Sequence, residues 1–290
     1  MAAPPPPPPL LPDELVEEIL LRTPPDEPER LVRTALACKH WCRLISGPGF
    51  RRRFRERHRH RAPPLMGIVG NFRGGEGCLV ARFAPTCSFR PPHTDRRGWW
   101  AIDSRHGRVL LYSPRFKSVE SLAVWNPITD DQWVLPPLPL PGSLRALFRW
   151  NATVLCAATT GGCDHLDCSC GPYLVVFVCS DGEVMSSSVY SSESGSWSKH
   201  TYVHGPPSCS YVAQGMRGAL VGSALYFMSP NVTNIIKYDL GTRGMTVICT
   251  PPILNRGIAR LISEGGRLGS VTLEGSRLPC GRGRLVPMEK

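Results

Sequence analysis

Residues 11–50, LPDELVEEILLRTPPDEPERLVRTALACKHWCRLISGPGF, carry the densest structural information in the chain. Pro12 suits the first turn of a helix, where a missing N–H costs nothing. Asp13 and Glu14 follow where negative charge complements the helix dipole. Leu15, Ile19 and Leu20 fall on one face at helical spacing, and Val16 widens that stripe. Pro24-Pro25 ends the helix, because a residue before proline avoids the helical region. Leu31, Ala35 and Leu36 make a second helical stripe, and Trp41, Leu44 and Ile45 a third. Gly47-Pro48-Gly49 is expected to stop the third.

Three helices this short cannot bury all of that apolar surface among themselves. The surplus of Leu, Ile and Trp points to a docking face. The competing reading is a helical hairpin that packs only on the rest of the chain.

Immediately downstream lies RRRFRERHRHR, residues 51–61, which holds much of the excess positive charge of a chain whose formal net charge is +11. Phe50 and Phe54, four apart, make it a helix with one apolar edge. Three roles stay open: a solvated helix end, a nuclear-localisation or nucleic-acid patch, or a contact for an acidic partner. Nucleic-acid binding is not expected, since no groove-reading motif or aromatic platform accompanies the charge.

The ordered set Leu11-Pro12, Leu15, Ile19-Leu20, Leu31, Cys38-Lys39, Trp41 and Leu44-Ile45 resembles the F-box, the helical module that plugs into the Skp adaptor of cullin-based ubiquitin ligases. The resemblance implies that Leu11, Pro12, Leu15, Ile19, Leu20, Leu31, Cys38, Trp41, Leu44 and Ile45 carry the module and its adaptor contact. It also implies cullin as an indirect partner and an unknown protein as substrate. Thr23, the acidic linker 26–29 and Ala37 depart from the family's usual pattern.

From Leu65 onward the texture changes to short apolar strands punctuated by Gly, Pro, Ser and Asp. Strands are expected at 108–112, 121–125, 152–157, 173–179, 183–190, 224–228, 235–238 and 245–249, all rich in β-branched and aromatic residues. Three marks repeat: a glycine before a short strand (GRVLLY at 107, GSALYF at 222, GRLGSV at 266), an aromatic strand end before a polar turn (VWNPITD at 124, VYSSESG at 189, KYDLG at 237), and the proline pairs 136–137, 206–207 and 251–252. The unit is roughly forty to fifty residues, the size of a propeller blade. In order and content these marks resemble the propeller-like region of plant, especially cereal, F-box proteins.

The expected architecture is therefore α+β by segment: a small three-helix F-box followed by an all-β, propeller-like and incomplete repeat domain. The boundaries are a disordered polyproline tail at 1–10, the F-box with its basic extension at 11–61, the β-domain at 62–275, and a disordered tail at 276–290. Two arrangements of the β-domain stay open, an open arc or a short ring closed by a strand at 65–69.

Composition narrows function further. No apolar run reaches membrane-spanning length, and the N-terminus MAAPPPPPP lacks the basic and apolar regions of a signal peptide. Cytosol or nucleus is the expected compartment, where the 12 cysteines stay reduced. The run CDHLDCSC, 163–170, has ligand chemistry, but the one-residue spacing of Cys168 and Cys170 strains a tetrahedral site and no second knuckle follows. No metal and no cofactor are expected. No nucleophile elbow, phosphate loop, zinc-protease helix or dinucleotide fingerprint occurs. The chain reads as a non-catalytic receptor that holds a target near a ligase, with catalysis by proximity supplied by its partners. The alternatives are a basic nuclear binding protein and an F-box receptor no longer bound to the ligase.

Overall fold

The structure, a computed structural model, describes residues 11–60, 65–87, 89–113, 121–138, 150–158, 163, 165, 168–180, 184–204, 216–229, 234–249, 258–264, 267–273 and 286–287. The polyproline tail, the proline pairs 206–207 and 251–252, and Asp164 and Asp167 lie outside them. The chain divides into two compact units, Met1–Ile68 with Ala84–Arg90, and Val69–Phe83 with Pro91–Lys290.

The first unit holds four helices: α1 (Asp13–Leu21), α2 (Pro28–Ala37), α3 (Lys39–Ser46) and α4 (Pro48–His58). Pro12 stands just before α1 rather than in its first turn, and its carbonyl accepts from the N–H groups of Leu15 and Val16. Gly47-Pro48 ends α3 as expected but also starts α4, with Pro48 at a position that needs no N–H. Three helices thus become four, and the basic run is the fourth.

Val16, Leu20, Leu21 and Phe50 form the buried core of this unit, with Leu31, Trp41, Leu44, Ile45 and Phe54 packed around it. Polar clamps fasten α4 to α1. Arg53 pairs with Glu17, Arg57 donates to Glu18 at 3.1 Å, and a ring nitrogen of His58 lies 3.0 Å from the Leu21 carbonyl. Part of the basic run is therefore spent inside the module.

The second unit carries five antiparallel sheets among the described residues, each drawn from one continuous stretch of chain. The first is β1 (Gly67–Arg73), β2 (Leu79–Pro85) and β3 (Asp95–Arg97). The second is β4 (Trp100–Arg105), β5 (Arg108–Tyr112), β6 (Leu122–Trp125) and β7 (Gln132–Val134). The third is β8 (Trp150–Cys156), β9 (Tyr173–Ser180), β10 (Val184–Ser191), β11 (Ser196–Trp197) and β12 (Thr201–His204). The fourth is β13 (Ala219–Val221), β14 (Ala224–Met228), β15 (Asn234–Asp239) and β16 (Met245–Cys249). The fifth is β17 (Ile258–Glu264), β18 (Arg267–Leu273) and β19 (Val286–Pro287).

Consecutive sheets pack face to face, which explains the unbroken apolar run YLVVFVC of β9. Val175 and Phe177 point into a core shared with Leu110, Leu122 and Val124 of the second sheet. Val176 and Val178 point the other way, into a core shared with Leu225, Phe227 and Ile236 of the fourth. A strand buried on both faces needs no polar alternation. Met228 and Ile235 continue the stack onto Leu261 of the fifth sheet. Antiparallel meanders of three to five described strands, stacked in chain order, are a propeller-like arrangement.

Among the described residues, several of the repeated marks are turns. His106-Gly107, at φ 53 and 74, makes the tight reversal between β4 and β5. The Asn126 side chain accepts from the Ile128 N–H at 2.9 Å, and the Asp239 side chain accepts from the Gly241 and Thr242 N–H groups at 3.0 and 2.8 Å. Tyr190 faces Trp197 across the β10–β11 reversal.

β1 overlaps the segment 65–69 and, among the described residues, pairs with β2 of its own sheet. The tail expected to lack structure returns at Val286–Pro287, which pair with Ser270 and Gly269. β18 is the central strand of the fifth sheet: β17 pairs along its whole length on one side, and the two-residue β19 covers only Gly269 and Ser270 on the other.

Candidate functional site

In the helical unit, the residues expected to meet a partner divide into two groups. Leu20 is buried, and Leu31, Trp41, Leu44 and Ile45 are half-buried against the internal core. Leu11, Leu15 and Ile19 are 59%, 53% and 58% exposed, on the side of α1 away from Val16 and Leu20. Val32 and Leu36 add a second exposed apolar pair on α2, with Leu36 at 80%. Pro12 is exposed, and Cys38 caps α3 by accepting from the Trp41 N–H at 3.4 Å. The sequence reading missed Leu21 and Phe50 as core residues. Phe50 was legible only as part of the Phe50–Phe54 edge, which stacks at 5.9 Å.

Large aliphatic side chains exposed together on a module this small make an apolar patch of the kind that binding partners cover. His40 lies 2.7 Å from Asp13 and ties α3 to the start of α1, so the exposed stripe is held on a braced helix.

In the β unit, a second constellation forms at the end of β8. The ligand atoms of Cys156, Cys163, His165 and Cys168 all lie within 4.8 Å of one another. Cys168 Sγ is 3.6 Å from His165 Nδ1, and the His165 N–H points to Cys163 Sγ at 3.4 Å. Burial and the neighbouring thiols of Cys156 and Cys163 push the Cys168 thiol up to about 12. Cys170 is exposed and its sulfur faces Ser169 instead.

The expectation of no metal considered only the run 163–170, and the cluster reaches beyond it to Cys156. Cys170 lies outside the set, the one-residue spacing recurs between Cys163 and His165, and the fourth member, Cys156, comes from a strand that read as purely apolar. The spacing Cys156-x6-Cys163-x-His165-x2-Cys168 was visible in the sequence, but only a count running across the strand boundary would have found it.

The turn between β4 and β5 braces this cluster. The His106 ring stacks on His165 at 4.0 Å and 13°, and its Nδ1 accepts from the Cys156 N–H at 3.1 Å. Burial, with His165 and three arginines nearby, lowers His106 to about 4, so its ring is neutral at neutral pH. Buried Arg108 donates to the carbonyls of Cys168, at 2.8 Å, and Gly171.

Three solved structures to which the chain is weakly similar are a prolyl endopeptidase (13% identity, TM-score 0.38, 71% of this chain and 29% of that one), a chain of a nidogen/laminin complex (9%, 0.37, 71% and 73%), and a mutant of AofleA from Arthrobotrys oligospora (10%, 0.34, 72% and 66%). The chain spans under a third of the endopeptidase. No curated protein matches it in sequence. No helix among the described residues is long and apolar enough to cross a membrane. Residues 9–53 match the F-box domain family, a span that takes in α1 to α3 and the start of α4. The N-terminal module of this chain is an F-box domain.

Proposed function

We propose that the chain is the substrate-recognition subunit of a Skp–cullin–F-box ubiquitin ligase, acting in cytosol or nucleus. The observation that supports this most is the exposed stripe Leu11, Leu15 and Ile19 on a module that matches the F-box. These side chains are the anchors for the Skp adaptor, and Val32 and Leu36 extend the contact. Leu20, Leu31, Trp41, Leu44 and Ile45 hold the module together, so they act on docking through its fold. The stacked sheets hold a target protein, and the ligase's own partners supply the chemistry.

The test is capture of the Skp adaptor by the full chain and by a Leu15→Asp/Ile19→Asp double variant. Two central anchors at about 2 kcal/mol each predict a loss of affinity well beyond thirtyfold. Circular dichroism should stay unchanged, because both positions face solvent in the free chain. Adaptor capture that survives the double substitution would remove the assignment.

A further inference from the structure

We propose that Cys156, Cys163, His165 and Cys168 bind a structural zinc ion that staples the segment 157–172 to the end of β8. The proposal is independent of the F-box reading, since all four residues lie in the β unit.

The donor set comes first. Three thiolates and one imidazole are the ligands zinc takes in closed tetrahedral sites, and the soft sulfurs disfavour magnesium, calcium and manganese. The geometry agrees. Zn–S bonds of about 2.3 Å and Zn–N bonds of about 2.05 Å at tetrahedral angles place sulfur and nitrogen about 3.6 Å apart. Cys168 Sγ and His165 Nδ1 are 3.6 Å apart. All four ligand atoms lie within 4.8 Å of one another, about 1 Å above the roughly 3.8 Å between sulfurs around a tetrahedral zinc, so a small contraction surrounds one ion.

The surroundings form a built site. Cys156 is buried at the end of β8, and Cys163, His165 and Cys168 are half-buried. Four protein ligands fill a tetrahedron and leave no position for substrate, which makes the site structural rather than catalytic. The second layer belongs to a different sheet. His106 covers the His165 ring and accepts the Cys156 N–H, while Arg108 holds the Cys168 carbonyl. A zinc with three thiolates carries a net charge of −1, and the buried Arg108 guanidinium lies beside it as counter-charge.

The fold supplies the need. The segment between β8 and β9 is long for a connection inside a stacked sheet and carries no strand of its own among the described residues. The turn Cys168–Cys170 within it contains a ligand. Binding turns three thiols into thiolates as Zn–S bonds form, and up to three protons pass to the solvent.

The experiment uses the full chain, purified under reducing conditions without chelator, and zinc and cobalt as probes. Elemental analysis should find about one zinc per chain. Chelation should lower the melting temperature and raise hydrogen exchange in 157–172. Cobalt added to the chelated chain should produce the charge-transfer and ligand-field bands of a tetrahedral thiolate site, and zinc should bleach them. C156S should lose those bands, and C170S, which removes the thiol outside the set, should keep them. If C156S fails to fold, the cobalt spectrum of the unaltered chain and C170S still decide. Zinc at a small fraction of stoichiometry together with no cobalt bands would overturn the proposal. So would a disulfide within the set under these reducing conditions, or a C170S variant that loses the metal.

Discussion

Replacing Gly107 by alanine tests the contact between the second sheet and the cysteine segment. Gly107 sits at φ +74, where an L side chain costs about 1–2 kcal/mol. Its new Cβ would also lie 2.7 Å from the Cβ of Ser169, closer than two such atoms come. Neither atom is the end of a flexible chain, so the turn Cys168–Cys170 must move, and overpacking of this kind costs about 1–3 kcal/mol. The sum is about 2–5 kcal/mol.

Gly222 is the control. It has φ +56 with open space around its Cβ position, so Gly222→Ala should cost the backbone term alone, about 1–2 kcal/mol. A second substitution separates the terms. Ser169→Gly deletes the offending Cβ and leaves the Ser169 Cα at an ordinary 3.7 Å. The double variant should therefore regain about 1–3 kcal/mol as a favourable coupling. Urea unfolding followed by tryptophan emission reads each value, with the slope unchanged if only stability moves. Equal costs for Gly107→Ala and Gly222→Ala, or no coupling with Ser169→Gly, would refute the close approach of the turn to the cysteine segment.

Two further outcomes follow from buried charge. Asp103 accepts from Arg105 Nε at 3.0 Å, Arg217 Nε at 3.1 Å and the Val154 N–H at 3.2 Å, so Asp103→Ala removes the counter-charge of the buried Arg105 guanidinium and should cost about 3–5 kcal/mol in urea unfolding, with part recovered when Arg105 is also replaced by alanine. Asp130 accepts from His93 Nδ1 at 2.6 Å, Trp125 Nε1 at 3.2 Å and Arg96; burial opposes its ionisation, yet these donors hold its carboxyl below the usual 3.8. A depressed carboxyl contributes stability that is fully present above 3.8 and lost as pH falls through its lower folded value. The stability gap between the unaltered chain and Asp130→Asn should therefore be constant near neutrality and shrink as pH drops below 3.8, and a gap that widens there would contradict it.

Local chemistry by itself settled a large part of this molecule. Strands such as 108–112, 224–228 and 245–249 carry their bounds in the chain, because a glycine or polar turn stands at each end of an apolar run. The F-box helices were legible for the same reason, with prolines and glycines as punctuation. Strands of two or three residues, such as β3, β7 and β11, are too short to show any period, and only their hydrogen-bonded neighbours define them.

The face of α1 was decided by tertiary structure. Periodicity put Leu15, Ile19 and Leu20 on one face with Val16 beside them, but of these only Val16 and Leu20 are buried. Phe50, from a helix that begins where the sequence signalled a stop, covers Val16, Leu20 and Leu21 and leaves Leu15 and Ile19 to solvent. The cysteine cluster has the same origin. Side-chain chemistry in one short segment supplied three ligands, but the fourth depends on where β8 ends in space, and the brace depends on a turn some fifty residues earlier. A metal site is set by distances among side chains, and distances between residues far apart in the chain exist only once the sheets have stacked.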